Sequence, residues 1–319
     1  MPSWRRAPWA PLCIGVLAAC SGSGSRTALT RFPLGIYGIA DPKLLSAVSD
    51  SGFDSFFAEA QDAEDSRRLA LEAERLGMRM LKRPYARQDQ SSRAGDSDHP
   101  QIVVATEGLG ARQFSADDDA LLLDWRPGPR LKPDYLADEI DTAYKFLPSG
   151  KPLWMVVQAF DREETARPRT SRVPDHAEMR FMSWLSIVHG AKGLFYFKGG
   201  TLLEEPELWQ AVSRVSREIK SFQPILEGGR PIAGPLPPAA DGLEAKAWRY
   251  RGRDYVVIVN RSPSATAKLP REFLQPEWRA LFELRRDPKD VLESDGPSGR
   301  LRPYQVIILE SDLRWWSSV

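Results

Sequence analysis

Residues 152–160 read PLWMVVQAF, and residues 191–197 read AKGLFYF. Both are short, apolar nearly throughout, and separated by a helical pattern over Pro174–His189. An apolar run without alternation is a strand covered on both faces, and two such strands joined through a helix make a parallel βαβ unit. Working back toward the N-terminus, the same unit recurs. Apolar runs at Pro33–Ile39, Phe53–Ala58, Met78–Arg83, Gln101–Thr106 and Ala120–Trp125 read as strands. Helical patterns at Lys43–Ser51, Asp62–Leu76, Pro133–Phe146 and Pro206–Phe222 stand around and after them. The Asp62–Leu76 segment is acidic first and basic later, as the helix dipole favours, and Gly77 ends it. A doubly wound open sheet and a closed (β/α) barrel both fit this alternation. Seven strands are one short of the eight of a TIM-type barrel, so the expected fold is such a barrel lacking one βα unit.

The chain changes character after Glu227. Residues 228–240 are rich in Gly and Pro and read as a linker. Residues 241–312 read as a small antiparallel β-sandwich, with strands at Leu243–Tyr250, Asp254–Asn260, Trp278–Leu284 and Pro303–Leu309 and a hairpin turn at Arg251–Asp254.

The N-terminus has the order of an export signal: Trp4-Arg5-Arg6, an apolar run from Pro11 to Ala19, then small residues. The apolar run is far below the roughly 20 residues of a membrane-spanning helix. Leu17-Ala18-Ala19-Cys20 resembles the lipobox of bacterial lipoproteins, which implies removal of residues 1–19 and lipidation of Cys20. Residues 20–31 then form a flexible Gly/Ser-containing tether, leaving residues 32–227 for the barrel. Ser21 in place of Asp resembles lipoproteins routed to the outer membrane, so the expected location is the cell envelope.

Composition narrows the function classes. Lys+Arg 44 against Asp+Glu 43, with no basic stripe, argues against nucleic acid as a partner. The two cysteines, Cys13 and Cys20, both belong to the export segment, which leaves no disulfide or thiol chemistry for the mature domain. His99, His176 and His189 lack metal-ligand spacing, and no metal or other cofactor is expected. His189, just before Gly190 at a helix end, reads as a structural residue.

Three stretches together resemble bacterial (β/α)-barrel proteins related to glycoside hydrolases. They are Lys151–Phe160, then Glu178–Phe197 (a helix and strand like the penultimate helix and last strand of such barrels), and Leu301–Leu309, like the closing strand of an attached β-sandwich. The resemblance implies action on carbohydrate. It has a departure: no Asp-Glu-Pro stretch lies between Arg83 and Asp119, and Gln158 stands where that family places a nucleophilic carboxylate. The usual catalytic pair does not transfer.

Sites in such barrels lie at the C-terminal ends of the strands. That rule selects Glu107 and Asp124 as the candidate catalytic carboxylates, since glycoside hydrolysis needs two. It selects Tyr37, Glu59, Arg83, Trp125, Gln158 and Tyr196 as candidate substrate-binding residues: aromatics to stack on sugar rings, polar groups to bond hydroxyls. Three functions are compatible: a glycosidase-like enzyme acting by paired carboxylates, a catalytically inactive barrel that binds carbohydrate, and a structural surface lipoprotein.

Overall fold

The first seven strands are β1 (Leu34–Ile39), β2 (Ser55–Ala58), β3 (Arg79–Leu81), β4 (Ile102–Ala105), β5 (Ala120–Leu123), β6 (Leu153–Val157) and β7 (Leu194–Phe197). All pair in parallel, in the order β3-β2-β1-β7-β6-β5-β4. The structure is a computed structural model that describes residues 31–82, 84, 100–126, 133–159, 173–197, 202–232, 242–282 and 299–311. The expected signal peptide, Cys20 and the tether before Arg31 lie outside the described residues, as does Arg83.

The strand order is that of a (β/α) barrel opened between its third and fourth strands. Side chains alternate along each strand, so every second residue shares a face. One face collects Phe57, Leu81, Ile102, Ala120, Leu122, Trp154, Val156 and Phe195 in a single cluster, with Tyr37 and Phe197 packed on it. Leu81 and Ile102 come from the two edge strands, so the sheet curls far enough for its edges to share one interior. This separates an incomplete TIM-like barrel from a flat doubly wound sheet. The opposite face, including Leu34, Ile36, Phe56, Leu123, Met155, Val157 and Tyr196, packs outward on the helices.

The helices are α1 (Leu45–Asp50), α2 (Ala63–Leu76), α3 (Tyr135–Tyr144), α4 (His176–Val188) and α5 (Pro206–Gly228). In α2, the Asp62 carboxylate caps the Asp65 N–H, and Gly77 ends the helix at φ 65°. In α4, Asp175 and Glu178 form a reciprocal capping box. Between β4 and β5 the chain uses a short 3₁₀ segment, Gly108–Gln113, instead of an α-helix. No described helix is long and apolar enough to cross a membrane.

The C-terminal part pairs β8 (Arg230–Pro231), β9 (Leu243–Tyr250), β10 (Arg253–Asn260), β12 (Trp278–Leu281) and β14 (Val306–Ser311) in an antiparallel sheet of order β12-β14-β10-β9-β8. A two-stranded ladder joins β11 (Ala267–Lys268) to β13 (Arg300–Leu301). Helix α5 runs on to Gly228, and β8 pairs with β9 at Arg230↔Arg249. The antiparallel sheet expected after the barrel packs directly against it. Its Trp248, Tyr255, Val257, Val259, Val306 and Ile308 belong to the same core as the barrel helices, while Val256, Ile258, Phe273, Trp278 and Leu301 build a second core on the other face.

That junction is polar at its centre. Arg180 of α4 is buried and donates its Nε to both oxygens of Glu218 in α5 at 2.9 Å. Its Nη1 donates to the Val306 carbonyl of β14 at 2.7 Å. Trp184 Nε1 donates to Glu218 at 2.7 Å. One guanidinium therefore ties two barrel helices to the C-terminal sheet with its charge compensated.

Candidate functional site at the barrel mouth

The C-terminal ends of the seven strands gather an aromatic and charged surface. On β1, Gly38 adopts φ 89° and the β1–β2 register slips between Tyr37 and Ile39. This bulge follows Tyr37, whose ring lies on the interior side, 5.1 Å from Phe57 and 5.2 Å from Phe197. Phe57 continues the chain of rings to Phe195 at 4.6 Å, and Phe195 to Trp154 at 5.6 Å. The Arg126 guanidinium lies 3.9 Å from the Phe197 ring centroid. Such stacking of a planar cation on an aromatic face is favourable by about 0.5–2 kcal/mol, more as water is excluded.

Arg126 is fixed in that position by Asp124. Its Nε donates to Asp124 Oδ1 at 2.7 Å and its Nη2 to Oδ2 at 2.5 Å, a bidentate fork. Asp124 follows β5 by one residue, shares the interior parity of Ala120 and Leu122, and donates its own backbone N–H to Ala105 of β4 at 2.7 Å. The result is one continuous surface of carboxylate, guanidinium, Phe197 and Tyr37, resting on the buried Phe57 ring.

The remaining expected residues divide. Gln158 follows β6 on the interior parity, buried, at the level of Phe197. Glu59 follows β2 and is exposed at the rim; its carboxyl would stand 3.4 Å from a Cβ at position 38, so it leans over the bulge beside Tyr37. Glu107 is exposed at the start of the 3₁₀ segment, whose next amide, Gly108 N–H, donates to Glu139 of α3 at 2.5 Å. Because Ala105 pairs with Leu123, Glu107 and Asp124 arise on adjoining strand tips.

Two expectations fail. Tyr196 points away from the interior: it is fully buried, and its hydroxyl shares a 2.7 Å hydrogen bond with Ser183 of α4. Burial first, and the nearby Glu218 charge, push its phenol far above its ordinary value, so it stays neutral. Trp125 is buried with the helices in the outer core. Each is one residue from an inward position, and one residue reverses the face.

Arg126 belongs to this surface but is not among the candidate binding residues selected from the sequence. The available signal was the spacing Asp124-x-Arg126 at a strand tip, where both side chains share a side. Nor is Trp154 among them, whose buried indole N–H has no acceptor among the described residues and supplies an unsatisfied donor inside the barrel. Among the described residues no three His, Cys, Asp or Glu side chains converge as a metal-binding group.

No known protein-family model matches the sequence, and no curated protein matches it. Solved structures do. AmyP, crystallised with maltotriose, superposes with TM-score 0.50 at 8% identity, covering 92% of this chain and 99% of that one. An α-amylase from Anoxybacillus gives 0.49 at 11% identity, covering 89% and 98%. A GH30 endoxylanase from Clostridium papyrosolvens gives 0.40 at 11%, covering 89% and 97%. The chain thus has a distant structural similarity to glycoside-hydrolase (β/α)-barrel enzymes. At these identities the likeness is one of fold.

Proposed function

We propose that the barrel mouth binds carbohydrate, in a protein held at the bacterial cell envelope through lipidated Cys20. One observation carries the sugar reading: Tyr37, Phe197 and the Asp124–Arg126 fork form a single surface on the interior side of the strand tips. Sugar recognition uses the two things this surface combines, an apolar ring face for C–H groups and convergent donors and acceptors for hydroxyls. A guanidinium already locked by a carboxylate meets a hydroxyl pair without further ordering, which reduces the entropy lost on binding. Gln158 adds an amide with both a donor and an acceptor. AmyP, which shares this fold and was crystallised with maltotriose, supports the same ligand class.

Binding without turnover is favoured over hydrolysis because both oxygens of Asp124 are engaged by Arg126. A general acid or nucleophile needs an oxygen presented to the glycosidic bond. The hydrolytic reading keeps Glu107 and Asp124 as its pair, supported by their position on neighbouring strand tips.

Retention on an array of oligosaccharides, run with the wild type and Tyr37→Ala, tests the binding reading; absence of retention by the wild type rejects it. Sugar release that falls in both Glu107→Gln and Asp124→Asn would establish the hydrolytic alternative. Incorporation of labelled palmitate, abolished in Cys20→Ala, tests the anchor.

A further inference from the structure

The interior side of the strand tips carries a charge that the Asp124–Arg126 pair does not cancel. Glu59 follows β2 on the parity of Phe57 and stands exposed, one step above that ring. Its backbone N–H donates to the Ile39 carbonyl at 2.9 Å, which fixes it against the tip of β1. Strand β1 makes room for the side chain at Gly38. With φ 89° that residue lies in the left-handed region, where glycine is favoured. The two Glu59 carboxylate oxygens lie 3.4 and 3.5 Å from where a Cβ would stand there. The carboxylate therefore rests on bare backbone immediately after Tyr37, whose ring packs on Phe57 and Phe197.

Two other carboxylates at the mouth are engaged. Asp41 accepts the Lys43 N–H at 2.9 Å, and Asp124 is held by both arms of Arg126. The Glu59 side chain has no hydrogen bond or ion pair among the described residues. Glu107 has none either, but it stands across the mouth on the β4 tip, whereas Glu59 stands beside the rings. A neutral sugar laid on Tyr37 would displace water from the Glu59 carboxylate and leave its charge uncompensated. An ammonium group in the same place pairs with it, and such a charge-assisted bond is about twice as strong as a neutral one. A neighbouring aromatic face favours a cation as well.

We propose that the mouth selects sugars that carry a free amino group, with Glu59 as the specificity-determining residue. The sugar ring lies on Tyr37, and its ammonium group meets the Glu59 carboxylate. This rests on the sugar reading of the same mouth and names the class of sugar. N-acetylation removes the positive charge at that nitrogen, so an acetylated amino sugar keeps the ring contact and loses the ion pair.

Calorimetric titration of the full chain at mildly acid pH tests the proposal. The probes are oligosaccharides of glucosamine and of galactosamine, each beside its fully N-acetylated counterpart, together with a panel of neutral oligosaccharides. In at least one series the amino form binds roughly tenfold more tightly than the acetylated form, and the preference narrows at high salt. Glu59→Gln brings the ratio of the two affinities close to one, with the melting temperature unchanged because the side chain is exposed. A purely structural role for Glu59 would move both affinities together and leave their ratio as it was. Equal affinity for the two forms in the wild type, binding confined to acetylated or neutral sugars, or a preference that survives in Glu59→Gln overturns the proposal and leaves the sugar reading standing. Absence of affinity for every amino, acetylated and neutral oligosaccharide removes the sugar reading itself.

Discussion

Asp124 and Arg126, two residues apart, face the same side of the β5 tip and close a bidentate ion pair that lays the guanidinium on the Phe197 ring. The pair is the polar half of the proposed sugar surface. Arg126→Lys keeps the charge but loses the fork and the planar stack. It is expected to weaken oligosaccharide binding on the order of tenfold, close to the effect of Arg126→Ala. Calorimetric titration of both variants checks this, and retention of wild-type affinity by the lysine variant would show that charge alone suffices.

The barrel interior sets a second expectation. A Cβ on Gly35 would fall 2.5 Å from the Phe195 ring and 2.8 Å from the Ser55 carbonyl. Gly35→Ala therefore overpacks the layer below the mouth, at a cost of about 1–3 kcal/mol in stability. Urea unfolding measures it. An unchanged midpoint would mean that the interior is looser than the ring contacts imply.

The junction of barrel and C-terminal sheet is where ionic contacts matter most. Removing one partner of the buried Arg180–Glu218 pair leaves the other charged and uncompensated. Glu218→Ala is expected to cost about 3–5 kcal/mol. Replacing both residues by apolar ones should recover much of that loss. A double variant no more stable than the single one would argue that Arg180 acts chiefly through the Val306 carbonyl.

His189 gives the junction a pH dependence. Its Nδ1 meets Asp141 at 2.8 Å and its Nε2 meets Glu244 at 2.5 Å. Burial lowers its pKa, but the hydrogen bonds to Glu244 and Asp141 and their charges outweigh burial and hold it above the ordinary 6.5. A group raised in the folded state stabilises fully below its unfolded pKa and loses that contribution as pH rises through the folded value. The stability difference between wild type and His189→Gln should therefore be largest below pH 6.5 and shrink on going alkaline. Unfolding series at acid and alkaline pH decide it, and a difference that grows with pH would reverse the assignment.

The elements that were legible in the sequence share a physical cause. β5 and β6 are buried on both faces and appear as unbroken apolar runs, and Asp62, Asp175 and Gly77 mark helix ends through capping chemistry. The same continuity hid which way side chains point. In Leu194–Phe197 every residue is apolar or aromatic, so no alternation tells that Phe195 and Phe197 face the interior while Tyr196 faces α4. Tyr37 and Gln158 were readable as mouth residues because each stands at a strand end on the interior parity. Arg180 carried a usable signal: a lone arginine in the apolar helix HAEMRFMSWLSIV must have a buried partner. The partner, Glu218, is 38 residues away, and only the packing of α4 on α5 brings them together.

The most direct test of the central claim is the affinity of the full chain for a panel of neutral oligosaccharides, measured beside Tyr37→Ala. Loss of the stacking ring should weaken binding roughly two- to tenfold, the equivalent of about 0.5–1.5 kcal/mol, with the melting temperature nearly unchanged. Oligosaccharide affinity equal in the variant and the wild type, or no affinity in either, would contradict a sugar site at the barrel mouth.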